Sequence, residues 1–240
     1  MNGGFQEDAV WEADKTLAEV ISGMAAAVRD ILGDRFLSMY LYGSVTLDDF
    51  RPGWSDIDVL ILTRSSVNRQ EAQKLLHLRQ KLAKERQELL YRAFEGVILP
   101  LAALEEGQTG KVVYWGTSGE RIRESFMMDV FSGYELLHRG RLVFGDSIQW
   151  KMPLPRYEDL VEGVKSHYHT IRQYAKETGD NLYACGWLLD IARCLYTLRC
   201  RDVIGKTQAG EWALQNGLCP AKETLSKTLE IRRITAGVPR

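Results

Sequence analysis

The sequence predicts an α/β domain with a small mixed sheet, followed by a C-terminal domain made only of helices. In the first half of the chain, short apolar runs of strand length alternate with longer helical patterns. The composition then changes at QWKMPLPRYED, which carries two prolines within three residues and is followed by no strand-like run. We therefore place a domain boundary near residue 150, giving an α/β domain over 1–150 and a helical domain over 151–240.

The α/β half is predicted to contain four strands between amphipathic helices. Helices are expected where apolar residues recur at helical spacing: over 7–32, over 69–90 with Asn68 as N-cap, and over 118–139. The expected strands are FLSMYLYGS, DIDVLILT, a third in YRAFEGVILPLAAL that ends near Pro100, and the short KVVYW; RLVFGDS is expected to be a short extended piece. The helical half is predicted to contain helices at about 156–178, 181–203, 206–217 and 221–236.

The charge balance and the lack of long apolar runs limit the class of protein. The chain has 31 Lys and Arg against 32 Asp and Glu, a formal net charge of -1, which argues against a nucleic-acid partner. No apolar run approaches the ~20 residues that cross a bilayer, and the N-terminal residues show no signal-peptide pattern. The four cysteines lie in the last quarter without a C-x-x-C pair. We expect a cytoplasmic protein with reduced thiols and no membrane partner.

Two aspartates stand at the start of an apolar run, in SDIDVLILT. Side chains two residues apart on a strand point to the same face, so Asp56 and Asp58 are expected to point together. Adjacent carboxylates repel each other unless a positive charge lies between them, and Mg²⁺ favours one or two carboxylates together with phosphate oxygens. The pattern therefore indicates a magnesium site. The alternative is a solvated strand edge that carries two acids.

A Gly-Ser pair follows the preceding apolar run, in LYGS. Gly43 lets the backbone approach a ligand closely, because it has no Cβ. Ser44 is expected to open a short helical turn, where free N–H groups attract anions. The pair alone is commonplace as a turn, but together with the two aspartates it suits a metal-bound nucleoside triphosphate.

This combination resembles the signature of the polymerase-β-like nucleotidyltransferases, and more closely the O-adenylyltransferases that modify streptomycin and spectinomycin. The matching stretches are Leu41-Tyr42-Gly43-Ser44, Pro52 and Ser55-Asp56-Ile57-Asp58-Val59. The link between them has one extra residue, and Asp48-Asp49 replace the family's glycine pair. The resemblance implies a nucleotidyltransferase domain that transfers AMP from ATP. It also implies that Gly43, Ser44 and Ser55 hold the triphosphate, and that Asp56 and Asp58 hold two Mg²⁺ ions.

The same resemblance implies a third acid and a lysine. Family members carry the pattern L-E-V-T-V on a neighbouring strand, and Phe94-Glu95-Gly96-Val97-Ile98 lies in the matching place. Glu95 would be the general base for the acceptor hydroxyl or a metal ligand. A strand acid at a solvated edge is the alternative. In the helical half, Lys206 matches a lysine that reaches the nucleotide phosphates, whereas without the family it is a surface lysine near a helix start.

The helix expected over 181–203 has two faces. Leu188, Ala192 and Leu195 are expected on its core side. Tyr183, Trp187 and Asp190 recur at helical spacing on the other side, and aromatic rings beside a carboxylate suit a polyhydroxylated, cationic sugar. Half-buried aromatic residues with a solvated aspartate are the alternative.

The first hypothesis is a magnesium-dependent transferase that moves AMP from ATP to a hydroxyl of a small acceptor and releases pyrophosphate. If the family holds, the acceptor is an aminoglycoside or a spectinomycin-like antibiotic, lying between the two halves. Two alternatives remain open, because a fold does not fix a function. The same enzyme class acts on a protein, a nucleic-acid end or a metabolite, or the chain binds nucleotide without catalysis.

Overall fold

The computed structural model describes residues 14–105, 111–116, 119–148, 152–175 and 182–234, and the chain divides into two compact units. The sheet unit consists of Met1–Thr46, Ser55–Met128 and Leu136–Pro153. The helical unit consists of Leu47–Trp54, Asp129–Glu135 and Leu154–Arg240. The sequence predicted a single boundary near residue 150. It did not predict that the short segments 47–54 and 129–135 belong to the helical unit. Both pack on helices later in the chain, and local sequence patterns do not report such contacts.

In the described part of the chain, the sheet has six strands in the order β5-β4-β3-β2-β1-β6. They are β1 (Phe36–Tyr42), β2 (Ile57–Thr63), β3 (Phe94–Pro100), β4 (Val112–Trp115), β5 (Arg121–Arg123) and β6 (Arg141–Gly145). β2 and β3 run parallel, and the other neighbouring strands pair antiparallel. The mixed sheet is therefore confirmed. β1 to β3 are buried along almost their whole length, which explains why they are continuous apolar runs in the sequence.

The first helix, α1, spans Lys15–Leu32, and Asp14 caps it by accepting hydrogen bonds from the N–H groups of Thr16 and Leu17. Its end at Gly33 agrees with the prediction, while the start predicted at residue 7 lies outside the described residues.

The single helix predicted over 69–90 is wrong, although its start is confirmed. Asn68 and Glu71 form a capping box, with two reciprocal hydrogen bonds of 2.9 Å. The helix breaks at His77 into α2 (Arg69–Leu76) and α3 (Leu78–Glu85), and a 3₁₀ turn over Leu89–Ala93 leads into β3. Leu75 in α2 and Leu78 and Leu82 in α3 are buried, so the apolar spacing continues across the break in the helix.

The helix predicted over 118–139 is also wrong in its first half. Arg121–Arg123 form the edge strand β5, and the helix, α5, spans only Val130–Arg139. Asp129 sets this start, because its Oδ1 accepts hydrogen bonds from the N–H groups of Phe131 at 3.0 Å and Ser132 at 3.1 Å. Residue 118 lies outside the described residues.

The predicted end of the third strand near Pro100 is confirmed, but the strand begins at Phe94 instead of Tyr91. It ends at Pro100, and Leu101–Glu105 form the short helix α4 instead of continuing the strand. Proline donates no ladder hydrogen bond, and it tolerates the position before a helix, so the change of structure falls there.

Besides the first residues of α5, the described part of the helical unit contains α6 (Tyr157–Tyr174), α7 (Leu182–Cys200), α8 (Lys206–Gln215) and α9 (Lys222–Ile234). This agrees with the prediction, apart from predicted ends that lie at residues 176–181 and 235–240, outside the described residues. The core of the unit joins α7, α8 and α9 through Leu189, Ala192, Ala209, Ala213, Leu225 and Leu229. Leu189, not Leu188 or Leu195, is the fully buried leucine of α7, so the predicted core face is displaced by about one position.

Across the described residues, no helix combines the length and the apolar character that crossing a membrane requires.

Candidate active site

Asp58 and Glu95 lie side by side at the starts of two parallel strands. Asp58 is the second residue of β2 and Glu95 the second of β3, and the two are partners in the strand register. The residues two and four positions further on, Leu60, Leu62, Val97 and Leu99, belong to one core cluster on one face of the sheet. Since side chains alternate along a strand, Asp58 and Glu95 share that face. Both remain half-buried at its open end.

Gly43 makes room for the Asp58 carboxylate. It follows the last residue of β1, and Tyr42 is the register partner of Asp58. A Cβ placed on Gly43 would lie 2.1 Å from Asp58 Oδ2, and the backbone at Gly43 has φ +66°, which favours glycine. The Asp58 carboxylate therefore packs directly against the backbone of Gly43, and only a residue without a Cβ leaves room for this contact.

The turn after Gly43 is tied to the segment that precedes β2. Gly43–Val45 form a 3₁₀ turn, closed by the hydrogen bond from Thr46 N–H to the Gly43 carbonyl at 3.1 Å, which agrees with the predicted helical turn. Ser44 Oγ donates to the Asp56 carbonyl oxygen at 3.2 Å. Gly43, Ser44, Asp56, Asp58 and Glu95 thus belong to one small region of the sheet unit, and Ser55 adjoins it along the chain.

The donor set fits an oxygen-coordinated cation with open positions. Asp56, Asp58 and Glu95 offer carboxylate oxygens, the donors that Mg²⁺ takes. Within residues 14–105, 111–116, 119–148, 152–175 and 182–234, no group of three or more His, Cys, Asp or Glu is disposed to hold a metal ion. A magnesium ion held here would take one or two carboxylates from the chain and fill its other positions with phosphate oxygens and water, as Mg²⁺ commonly does.

Tyr114 is a site residue that sequence reasoning missed. Its hydroxyl donates a hydrogen bond to Glu95 Oε1 at 2.9 Å. The guanidinium carbons of Arg121 and Arg123 lie 4.8 Å and 4.5 Å from the centre of its ring. Burial, and then the negative charge of Glu95, raise the pKa of Tyr114, so the hydroxyl stays a neutral donor at physiological pH. Alternation along KVVYW places Tyr114 on one face of the sheet, but the sequence alone does not pair it with Glu95.

In the helical unit, Lys206 forms an ion pair with Asp190. Lys206 is the first residue of α8, and its Nζ donates to Asp190 Oδ2 at 3.0 Å. Arg193 Nη2 lies 3.2 Å from Asp190 Oδ1, and Arg193 Nη1 lies 3.4 Å from Glu135 Oε1. His167 Nε2 lies 3.9 Å from Asp190 Oδ2. The expected phosphate-binding lysine therefore stands in a cluster of alternating charges in which the two acids are buried and the basic side chains are partly exposed.

The two acids of this cluster are shifted in opposite directions. Burial by itself would raise the pKa of Asp190, but Lys206 and Arg193 outweigh it and hold that pKa well below its usual range. Burial raises the pKa of Glu135, and Arg193 opposes the rise only in part. Asp190 is therefore ionised and is the main partner of the two cations.

The interpretation of Asp190 as a solvated aspartate beside two aromatic residues is wrong. Asp190 is only 6% exposed, whereas Tyr183 is 60% exposed and Trp187 is half-buried. Arg193, one turn further along α7, and Lys206, which follows Asp190 by 16 positions, compensate this burial, and the spacing along α7 does not report the contact with Lys206. Substrate binding by Tyr183, Trp187 and Asp190 stays a prediction, and so does phosphate binding by Lys206.

Replacing Asp190 with asparagine is expected to lower the free energy of unfolding by about 3 kcal/mol at pH 7, because Lys206 and Arg193 lose a buried counter-charge. The pKa of Asp190 is depressed in the folded state, so its contribution is complete above the unfolded pKa of about 4 and is lost as the pH falls through the folded value. The free energy of unfolding of wild type and D190N is measured with urea at pH 7, 5 and 3. The difference between the two proteins should become smaller below about pH 4. An equal difference at all three values would contradict this account.

Comparison with known families gives two matches, one in each half of the chain. Residues 25–106 match the nucleotidyltransferase domain, and residues 153–232 match the C-terminal domain of the aminoglycoside adenylyltransferases. The first match contains Gly43, Ser44, Asp56, Asp58 and Glu95, and the second contains Asp190 and Lys206. Comparison with curated protein sequences gives no match.

The chain is also similar in fold to solved structures. The spectinomycin adenyltransferase AAD(9) from Enterococcus faecialis, solved with ATP and spectinomycin, superposes with a TM-score of 0.67 at 16% identity, covering 92% of this chain and 91% of that one. A toxin–antitoxin structure with AMP-PNP and a complex of a Shewanella oneidensis HEPN toxin with MNT antitoxin reach TM-scores of 0.29 and 0.26, at 13% and 12% identity. They cover 65% and 66% of this chain and 93% of each of those chains. Similarity at that level supports no further argument.

Proposed function

Because this chain belongs to the nucleotidyltransferases, as a relative of the aminoglycoside adenylyltransferases, we propose that it transfers AMP from ATP to a hydroxyl of a small acceptor. The observation that supports this most strongly is the pairing of Asp58 with Glu95 on parallel strands, against the turn at Gly43. Asp58, the proposed ligand for the nucleotide's metal, and Glu95, the proposed base for the acceptor hydroxyl, then lie on the same face of the sheet.

The proposed reaction is an in-line displacement at the α-phosphorus of ATP. The acceptor oxygen forms a bond to that phosphorus, and the bond from phosphorus to the bridging oxygen of pyrophosphate breaks. The hydroxyl proton passes to the Glu95 carboxylate, and the electron pair of the broken bond leaves with pyrophosphate. Tyr114 holds Glu95 Oε1 by its hydrogen bond and leaves the other carboxylate oxygen to accept the proton.

The proposed nucleotide site uses the turn at the end of β1. Gly43, Ser44 and Ser55 contribute backbone N–H groups and hydroxyls to the triphosphate, and the contact of Gly43 with Asp58 keeps those groups beside the carboxylate. Asp56 and Asp58 are the proposed ligands for two magnesium ions. Magnesium, when bound, stabilises the negative charge that develops on the phosphoryl and leaving oxygens. Lys206 is the proposed counter-charge to the triphosphate. On binding a phosphate, its ammonium group would either leave Asp190 or contact both the phosphate and Asp190.

The proposed acceptor is an aminoglycoside or a spectinomycin-like antibiotic. The match to the C-terminal domain of the aminoglycoside adenylyltransferases supports this class, and so does the fold shared with an enzyme solved with ATP and spectinomycin. A protein hydroxyl, a nucleic-acid end and another metabolite are the competing acceptors.

The test is an acceptor panel read by mass spectrometry. The purified chain is incubated with MgATP and, one at a time, streptomycin, spectinomycin and other aminoglycosides, and each mixture is assayed for pyrophosphate and for an acceptor mass increased by one adenylate. We expect one adenylate on at least one antibiotic. Pyrophosphate release with adenylated protein or nucleic acid instead would shift the proposal to another acceptor. MgATP binding without pyrophosphate under any acceptor would overturn catalysis.

Replacing Gly43 with alanine is expected to remove activity without removing the fold. The new Cβ would meet Asp58 Oδ2 and displace the carboxylate. Gly33→Ala is the matched control, since Gly33 also has positive φ, +55°, but nothing lies within 4 Å of its Cβ position. Both variants should lose about 1 kcal/mol of unfolding free energy from backbone strain. Only G43A should lose turnover, by about 100-fold, and equal turnover of the two variants would contradict the assignment.

A further inference from the structure

The loop over residues 47–54, which belongs to the helical unit, is held to α8 and α9 by a buried acid. Asp49 is 2% exposed, although it lies in a loop and has a charged side chain. The preceding residue, Asp48, is exposed and has φ +55°, a conformation that aspartate tolerates better than most residues. Asp48 thus has a backbone conformation that glycine adopts freely, and Asp49 places a buried carboxylate in the loop.

Asp49 is bound by two residues that follow it by more than 150 positions. Its Oδ2 accepts hydrogen bonds from Thr207 N–H at 3.0 Å and from Arg232 Nη2 at 3.1 Å, and its carbonyl accepts from the same Nη2 at 3.2 Å. Arg232, itself 3% exposed, also donates from Nε to Thr207 Oγ1 at 2.9 Å. Its guanidinium carbon lies 5.6 Å from the ring centre of Trp54, at the far end of the loop. We call Asp49, Thr207 and Arg232 the loop clamp.

The loop clamp supplies the cap that α8 lacks in its own sequence. The N-cap residue of α8 is Gly205, which has no side chain to bond the first N–H groups. The Asp49 carboxylate bonds the N–H of Thr207 instead, and its charge suits the positive end of the helix. A Cβ on Gly205 would lie 2.6 Å from Asp49 Cβ, so this glycine permits the approach. The start of α8, where Lys206 lies, is therefore fixed by the loop.

We propose that Asp49 is a positioning residue for nucleotide binding. Peptide bonds join the clamped loop to Thr46 and Ser55, so Asp49 stands five residues after Ser44 and seven before Asp56. The loop clamp holds this loop and the first turn of α8 as one piece, and it thereby sets the position of Lys206. The inference rests on the proposed function, because it assigns Lys206 to the triphosphate. The competing account is that the loop clamp only stabilises the fold.

The first measurement is hydrogen–deuterium exchange, which does not depend on activity. Asp49→Asn is expected to raise exchange together in segments 47–54 and 205–210, and to leave α6 unchanged. Asp48→Gly is the matched control at the neighbouring exposed position, and it should leave segment 205–210 as in wild type. Unchanged exchange of 205–210 in D49N would overturn the coupling. If D49N does not fold, the double variant D49N/R232Q, in which neither charge is left alone, replaces it with the same expectations.

The second measurement separates positioning from stability by MgATP affinity, at a temperature where every variant is fully folded. D49N is expected to raise the Kd for MgATP about tenfold, and D48G to leave it unchanged. If Asp49 acts through Lys206, D49N should change the Kd by less than about threefold when added to Lys206→Met. An unchanged Kd in D49N, or effects that multiply in the double variant, would overturn the positioning role and leave the proposed function intact. A wild type that binds no MgATP would overturn both.

Discussion

Asp58→Asn is expected to abolish adenylyl transfer while the protein stays folded. The substitution keeps the shape of the side chain and removes the charge that would hold magnesium beside the turn at Gly43. We expect a loss in kcat of about 10³-fold or more, the size found when a group that stabilises transition-state charge is removed. Asp56→Asn should behave in the same way, because the two aspartates are proposed to hold the same pair of ions. Initial rates of pyrophosphate release, measured at saturating MgATP, give this result directly.

The control for this substitution is Asp34→Asn. Asp34 lies on the surface of the sheet unit in a 3₁₀ turn before β1, so it loses the same charge away from the site. It should keep wild-type turnover. If D58N and D56N turned over ATP as fast as D34N does, the aspartates would not be metal ligands and the proposed mechanism would fail.

Glu95→Gln is expected to lower kcat by about 10³-fold and to leave the Kd for MgATP within about threefold of wild type. Glutamine keeps the hydrogen bond from the Tyr114 hydroxyl but does not take the acceptor's proton. A large loss of kcat with an almost unchanged Kd for MgATP would identify Glu95 as the general base. Rates measured over a range of magnesium concentrations complete the test, because loss of a metal ligand would instead move the magnesium dependence to higher concentration.

Glu124→Gln is the matched control for Glu95. Glu124 is an exposed acid that follows β5 in the same unit, and its substitution should change neither kcat nor the magnesium dependence. A Glu95→Gln enzyme with wild-type kcat and magnesium dependence would exclude both roles and return Glu95 to a strand acid at a solvated edge.

The parts of the fold and site that depend on neighbouring residues were predictable from the sequence. Asp58 lies on β2 and Asp56 directly precedes that strand, Gly43 follows β1, and Glu95 interrupts an otherwise apolar run, so local patterns were enough to select them as candidates. The order of the helices in the C-terminal half follows from apolar spacing and from the glycines and prolines between them. The helix break at His77 and the helix start after Asp129 were not predicted, because the apolar spacing continues across both changes of backbone conformation.

The parts that depend on distant pairs were not predictable. The ion pair between Asp49 and Arg232 joins residues 183 positions apart, and the local sequence around either residue does not indicate which residue it pairs with. Asp190 has the spacing of an outward-facing residue, yet the ion pair with Lys206, which follows it by 16 positions on the next helix, makes its burial favourable. Charged residues carry no periodic sign of their partners, so their burial becomes visible only when the tertiary contacts are known.

The most direct test of the central claim is a crystal structure with a non-hydrolysable ATP analogue and Mn²⁺, whose anomalous scattering locates the metal. We expect anomalous peaks within coordination distance of Asp56 and Asp58, triphosphate oxygens on the same ions, and Glu95 on the same side of the sheet. A nucleotide bound away from Gly43, or metal peaks with neither aspartate as ligand, would contradict the account.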